Sequence, residues 1–192
     1  MTDYRALTAI PPLVSRALAL AEAQQFTASC IAEVGRFLAA LAATIVDGTL
    51  AELGTGCGAG TAWLASGLQP GARLVTVERD EVRAAAVAAL FAGEAAITVL
   101  RGEWSAILDH APFALLFADT PAKYEEPERL LAALRPGGVI VLDDLTPVAQ
   151  WPEAWRGQRD PVRDFWLSDP RLLATEILTT PDTAAIIATR RG

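Results

Sequence analysis

Lysine and histidine are almost missing from this sequence: Lys123 and His110 stand alone against fifteen arginines. Cysteine is scarce as well, with Cys30 and Cys57 only, and no Cys/His spacing frames a zinc site or a disulfide network. A reducing compartment, the cytoplasm, is the expectation. Basic clusters are absent beyond Arg190-Arg191, and the net charge is −7. That balance argues against a nucleic-acid partner, because gripping a phosphate backbone takes clustered positive charge. The longest apolar stretch, Phe37 to Val46, falls far short of the ~20 residues of a membrane span, so no membrane partner is expected. Asp3 and Arg5 precede a periodic segment with no basic region, apolar run and small-residue cleavage site, and no secretory leader is expected. No repeat, low-complexity tract or linker divides the chain.

What is present is apolar and alanine-rich. The chain has 192 residues, 52% of them hydrophobic, enough for one domain with a full core and short for two. Residues 1–46 read as a helical N-terminal extension and 47–192 as the core of a single domain. Within the extension, residues 12 to 45 predict two helices, the first opened by Pro11-Pro12. In the second, Ile31, Val34, Leu38, Leu41 and Ile45 mark one buried face. This prelude can serve as a lid, a surface for homodimer formation, or a cover for one face of a sheet.

From Thr49 the pattern alternates strand and helix, the mark of a mostly parallel sheet. Strands are predicted at 50–53, 74–78, 97–100, 113–118 and 139–142. Helices are predicted from the glycine loop to Leu68, over 81–91, from about 126 to 134, and near 162–167. Arg135-Pro136-Gly137-Gly138 is expected to stop the third of these and launch strand five. The last two strands, 172–178 and 184–189, are separated by a connection too short for a crossover helix and predict an antiparallel hairpin.

The end of the first strand and the turn to its helix read Glu52-Leu53-Gly54-Thr55-Gly56-Cys57-Gly58. Glycines there let the backbone turn sharply and approach a ligand, and in open α/β sheets ligands bind beyond the carboxyl ends of strands. Glu78 closes the second strand, where a carboxylate can accept from both ribose hydroxyls. A tight turn explains the glycines alone; the strand, the helix, the spaced acid and the hairpin together point to a nucleotide-like cofactor. A dinucleotide stays open, since Ala59 lies three positions after Gly56, so an NAD-dependent oxidoreductase is one alternative. A non-catalytic binding protein that kept the loop is another.

The run Glu52–Gly58 resembles motif I of class I S-adenosylmethionine-dependent methyltransferases, and the chain is similar to the catechol and caffeoyl-CoA O-methyltransferase group. Glu33–Leu38, Val75–Glu78, Leu115–Asp119, Leu134–Asp144 and Asp169-Pro170-Arg171 carry the likeness, in consistent order over roughly residues 30 to 190. The resemblance implies a Rossmann-like fold with strand order 3-2-1-4-5-7-6 and methyl transfer to a hydroxyl of a small, aromatic-type acceptor. It places Glu52, Gly54, Gly56 and Gly58 along the methionine side, Glu78 at the ribose, and Gly102, Glu103 and Trp104 where the family holds the adenine. Packing explains Trp104 equally well. The family's hydroxyl residue after the third glycine corresponds to Gly60, with Thr61 beside it.

By the same resemblance Asp119, after strand four, and Asp143 and Asp144, after strand five, would hold Mg²⁺ or Ca²⁺, hard ions suited to oxygen ligands. Asp119 would also face the cofactor, and Lys123 and Asp119 are the catalytic candidates. The pattern departs in two places: Asp144 replaces the usual asparagine, and Lys123 lies four residues after Asp119 rather than three. Helix capping explains such aspartates too, and a lone lysine is ordinarily a surface residue. Trp151, Trp155 and Trp166 follow strand five and can line an acceptor pocket or pack on the sheet. His110 is expected before strand four, in a surface or capping role.

Overall fold

The computed structural model describes residues 9–192; Asp3 and Arg5, on which the leader expectation rests, lie outside them. A sheet of seven strands runs through the molecule in the order β3-β2-β1-β4-β5-β7-β6, as the resemblance implies. The strands are β1 (Asp47–Leu53), β2 (Gly71–Glu78), β3 (Ile97–Arg101), β4 (Phe113–Ala118), β5 (Leu134–Leu145), β6 (Leu172–Leu178) and β7 (Ala184–Arg190). The first five run parallel, and β7 inserts antiparallel between β5 and β6.

Strand periodicity sorts the core into two layers. Leu50, Leu74, Leu115 and Val141 join Val34, Leu38 and Leu64 under helices α2 (Ala32–Ala42) and α3 (Ala59–Gly67). Ala51, Val75, Leu116 and Ile140 pack on the other face. There α5 (Ala122–Glu125), α6 (Pro127–Ala133) and α7 (Pro161–Ser168) follow β4 and β5, and α6 and α7 join that core through Leu130, Leu131 and Trp166. Helix α1 (Pro12–Ala23) has Pro in its first turn and α4 (Glu81–Leu90) is capped by Asp80, whose carboxylate accepts from Arg83 N–H at 2.9 Å.

The predicted buried stripe on α2 is narrower than its periodicity suggested. Val34 and Leu38 are buried, but Ile31 precedes the first turn and is 39% exposed, while Ile45 lies past the helix end. Close approach of α2 to α3 depends instead on Gly35, where a Cβ would overlap the Trp63 ring. Strand β5 starts earlier than expected: Leu134 already pairs with Phe113, and the register shifts before Leu115 meets Val139. Residues 135–138 are therefore an irregularity within the strand rather than a spacer before it.

The strand ends are aligned. Leu53 pairs with both Val77 and Ala118, and Ala118 pairs with Leu142. The next residues, Gly54, Glu78, Asp119 and Asp143, consequently stand in a row along one carboxyl edge. No helix among the described residues is long and apolar enough to cross a membrane.

Candidate functional site

The row of residues opens into a cleft of about 500 Å³ above the loop between β1 and α3. That loop is fastened to β2: the N–H groups of Gly54 and Thr55 both donate to the Val77 carbonyl at 3.1 Å. Gly54, Gly56 and Gly58 all have positive φ, at 89°, 55° and 89°, a region side chains rarely enter. Each also faces a neighbour that a Cβ would meet at 2.8–2.9 Å: Thr120 at Gly54, the Phe26 ring at Gly56, the Phe91 ring at Gly58. Conformation and contact together demand glycine at these places.

Glu52 lies in the cleft wall, 1% exposed. Thr61 and Thr76 both donate hydrogen bonds to its Oε2, the latter at 2.8 Å, and Thr55 stands 2.6 Å from the Thr76 hydroxyl behind it. Thr61 thus supports an acid of the cleft. Burial pushes the Glu52 carboxyl up to about 8; the two hydroxyls oppose this, and Asp119 and Glu78 add to it. Gly60 has no side chain because a Cβ there would overlap Glu52 Oε1.

Glu78 ends β2 at 5% exposure. Its carboxylate accepts from Gly56 N–H and Asp80 N–H at 2.9 Å each and from Arg83 Nη2 at 3.1 Å. Gly102, Glu103 and Trp104 border the same cleft, and the Arg129 guanidinium lies 4.9 Å from the Trp104 ring centre. His110, expected in a loop, ends the 3₁₀ turn Trp104–His110 and is half-buried.

Phe26 and Cys30, between α1 and α2, complete the wall. Nothing in the sequence of this strap marks it as part of the site. Its contact with Gly56 and the stacking of Arg83 5.4 Å from the Phe26 ring are visible only in three dimensions. The N-terminal helices thus cover a sheet face through α2, and their connection borders the cleft.

At the other end of the row, Asp119 lines the cleft and its carboxyl is raised by burial and by Asp144, with Lys123 opposing. Asp143 is 8% exposed, and burial brings it to about 6. Asp144 takes φ 62°, a conformation aspartate tolerates, and turns toward the surface. Lys123 is no solvated surface residue: at 3% exposure its ammonium donates to the Asp143 carbonyl and lies 3.9 Å from Asp119 Oδ1.

The three aspartates share an edge, yet among the described residues no three acidic, histidine or cysteine side chains are placed to hold a metal ion together. The donor set therefore does not fit the expected ion as arranged. The buried Lys123 ammonium, inserted against the Asp143 main chain and beside Asp119, already brings positive charge to that edge.

A second pocket of about 400 Å³ adjoins the edge, with Asp144 lining both. Tyr124, Trp151, Trp155, Asp160 and Arg163 form its walls. The Trp151 and Trp155 rings meet edge to face, 6.3 Å between centres. Trp166 is not part of it. Fully buried, it packs on Phe165 and donates from Nε1 to the Lys123 carbonyl at 3.3 Å, so it belongs to the core.

Residues 51–145 match the model of a family described as a methyltransferase domain. No curated relative matches. Among solved structures, an O-methyltransferase from Bacillus cereus in complex with SAH aligns with TM-score 0.80 at 25% identity, over 97% of this chain and 94% of that one. TomG, an O-methyltransferase of Streptomyces achromogenes in complex with SAM, aligns with TM-score 0.79 at 25% identity, over 97% and 92%. Cofactor-bound Rv0187 from MTB aligns with TM-score 0.79 at 28% identity, over 97% and 93%. By sequence, residues 51–145 carry a methyltransferase domain, and by fold the chain matches O-methyltransferases that bind SAM or SAH.

Proposed function

We propose that the chain methylates a hydroxyl oxygen of a small aromatic acceptor held in the second pocket. One observation carries this: Asp144 lines both cavities, so the cleft at the glycine loop and the aromatic pocket meet at the carboxyl edge. When bound, S-adenosylmethionine supplies an electrophilic methyl carbon. The glycine cradle fits such a ligand, since each position would be filled by any side chain.

The chain's residues divide the remaining work. Glu78 offers carboxylate oxygens for the ribose hydroxyls, and Gly102, Glu103 and Trp104 border the adenine end. Tyr124, Trp151 and Trp155 orient a planar ring, as aromatic walls favour. Asp119, on the cleft wall, takes the proton as the acceptor oxygen attacks; a carboxyl raised by burial is a better base than a free one. Lys123 lines neither cavity, and its place beside Asp119 and under β5 makes it a positioning residue.

Assistance by Mg²⁺ or Ca²⁺ at Asp119, Asp143 and Asp144 is a second reading. The crowding of acids, which adds to the burial that raises Asp119 and Asp143, favours it; the arrangement of the carboxylates does not, and no step above needs the ion. Transfer of labelled methyl to a panel of hydroxylated aromatic and aliphatic compounds, before and after chelation, is the test. Turnover of aromatic hydroxyls that survives chelation is the expected result. Turnover restored only by added divalent ion supports the second reading, and no transfer to any hydroxyl refutes both.

A further inference from the structure

Glu52, the last residue but one of β1, is an acid enclosed without a cation partner. It is fully enclosed, and the groups that face it are neutral or acidic. From β2 come the Thr76 hydroxyl and Glu78; from α3, Gly60 and the Thr61 hydroxyl; from β4, Phe117 and, beyond the strand end, Asp119. From the strap comes the Cys30 thiol, whose own ionisation is suppressed chiefly by burial and further by Asp143 and Glu52. The cations nearby are engaged with other acids: Arg83 pairs with Glu78 and Lys123 with Asp119. Both hydroxyls donate to Oε2, leaving Oε1, against Gly60, as the oxygen that can carry a proton.

An enclosed acid without a cation is costly to ionise, and it stays neutral until a positive charge arrives. The ligand proposed for this cleft brings one, because its methionyl end carries an ammonium and a sulfonium. We propose that Glu52 is protonated in the cofactor-free protein and releases that proton to solvent when the cationic methionyl end docks, which makes cofactor binding proton-linked and stronger as pH rises. The inference rests on the cofactor reading above. Its balance is simple: the Glu52 carboxylic O–H bond breaks, the proton leaves to buffer, and the carboxylate remains opposite the bound cation. Methyl transfer later removes the sulfonium charge, and the acid regains a proton from solvent as the product leaves.

The sign follows from the direction of the shift. The free carboxyl is raised, to about 8, and the cation lowers it in the complex. Between those two values binding displaces a proton, so affinity climbs by up to about tenfold per pH unit and levels off above the free value.

Calorimetric titration of the full chain with S-adenosylmethionine, at pH 6.5 in two buffers of different ionisation enthalpy, counts the protons. Close to one released per cofactor bound is expected, against close to none for Glu52→Gln, whose remaining exchange reports the ligand's own ammonium. Because Glu52→Gln can also perturb folding, infrared difference spectra of the wild-type chain give an independent readout. Loss of a protonated-carboxyl band on binding supports the inference. Binding by the wild type with no proton release overturns it, as does equal release by wild type and Glu52→Gln. Absence of any binding by S-adenosylmethionine or S-adenosylhomocysteine refutes the cofactor reading itself.

Discussion

The backbone N–H of Gly56 donates to Oε2 of Glu78 at 2.9 Å, so the middle of the glycine loop is tied to the acid that ends β2. One carboxylate thereby shapes the cradle and, in the complex proposed above, accepts from the ribose hydroxyls. Glu78→Ala removes acceptors for Gly56, Asp80 and Arg83 together. With hydrogen bonds to charged groups worth about 1.5–3 kcal/mol each, affinity for S-adenosylhomocysteine should fall at least tenfold and the melting temperature should drop. Glu78→Gln should retain more of both. Calorimetry and thermal unfolding of the two variants check this.

Gly60→Ala tests the packing of the loop against its acid. The added methyl would overlap Glu52 Oε1, and overpacking of this kind costs about 1–3 kcal/mol. A lower denaturant midpoint with unchanged slope is expected. A neutral effect would mean that Glu52 is not held where Thr61 and Thr76 place it.

Glu52 also makes stability depend on pH. Its folded-state carboxyl titrates near 8, well above the ordinary range of an unfolded glutamate. The neutral form is the one the fold favours, so its contribution is complete in acid, below the unfolded value, and is lost as pH rises toward 8. Cofactor-free protein should therefore lose melting temperature between pH 6 and pH 8 more steeply than Glu52→Gln. Parallel slopes for the two proteins would contradict the assignment.

Much of this was legible because the relevant signals are local. Short apolar runs between helical segments marked the strands, and the five-residue connection at 179–183, too short for a crossover helix, led to the hairpin of β6 and β7. The loop and Glu78 were readable because motif spacing reflects where neighbouring parallel strands end. The strap was not, since the roles of Phe26 and Cys30 arise from a contact made across the fold. Lys123 reads as a surface lysine until α5 is seen to fold it under β5. Trp151, Trp155 and Trp166 look equivalent in sequence. Only helix α7 turns Trp166 into the core while the other two border a pocket.

Trp155 tests the acceptor pocket with little risk to the fold, being 49% exposed. Trp155→Ala should raise KM for an aromatic acceptor several-fold, on the order of the 0.5–1.5 kcal/mol that an aromatic pair adds. Cofactor affinity and melting temperature should hardly move. Unchanged KM would place the acceptor elsewhere.

Titrating the purified chain with S-adenosylhomocysteine and, separately, with NAD identifies the ligand of the cleft. Saturable binding of one S-adenosylhomocysteine per chain, with no heat from NAD, is the expected result. Saturable NAD binding with none for S-adenosylhomocysteine would contradict the account and return the glycine loop to a dinucleotide-dependent oxidoreductase.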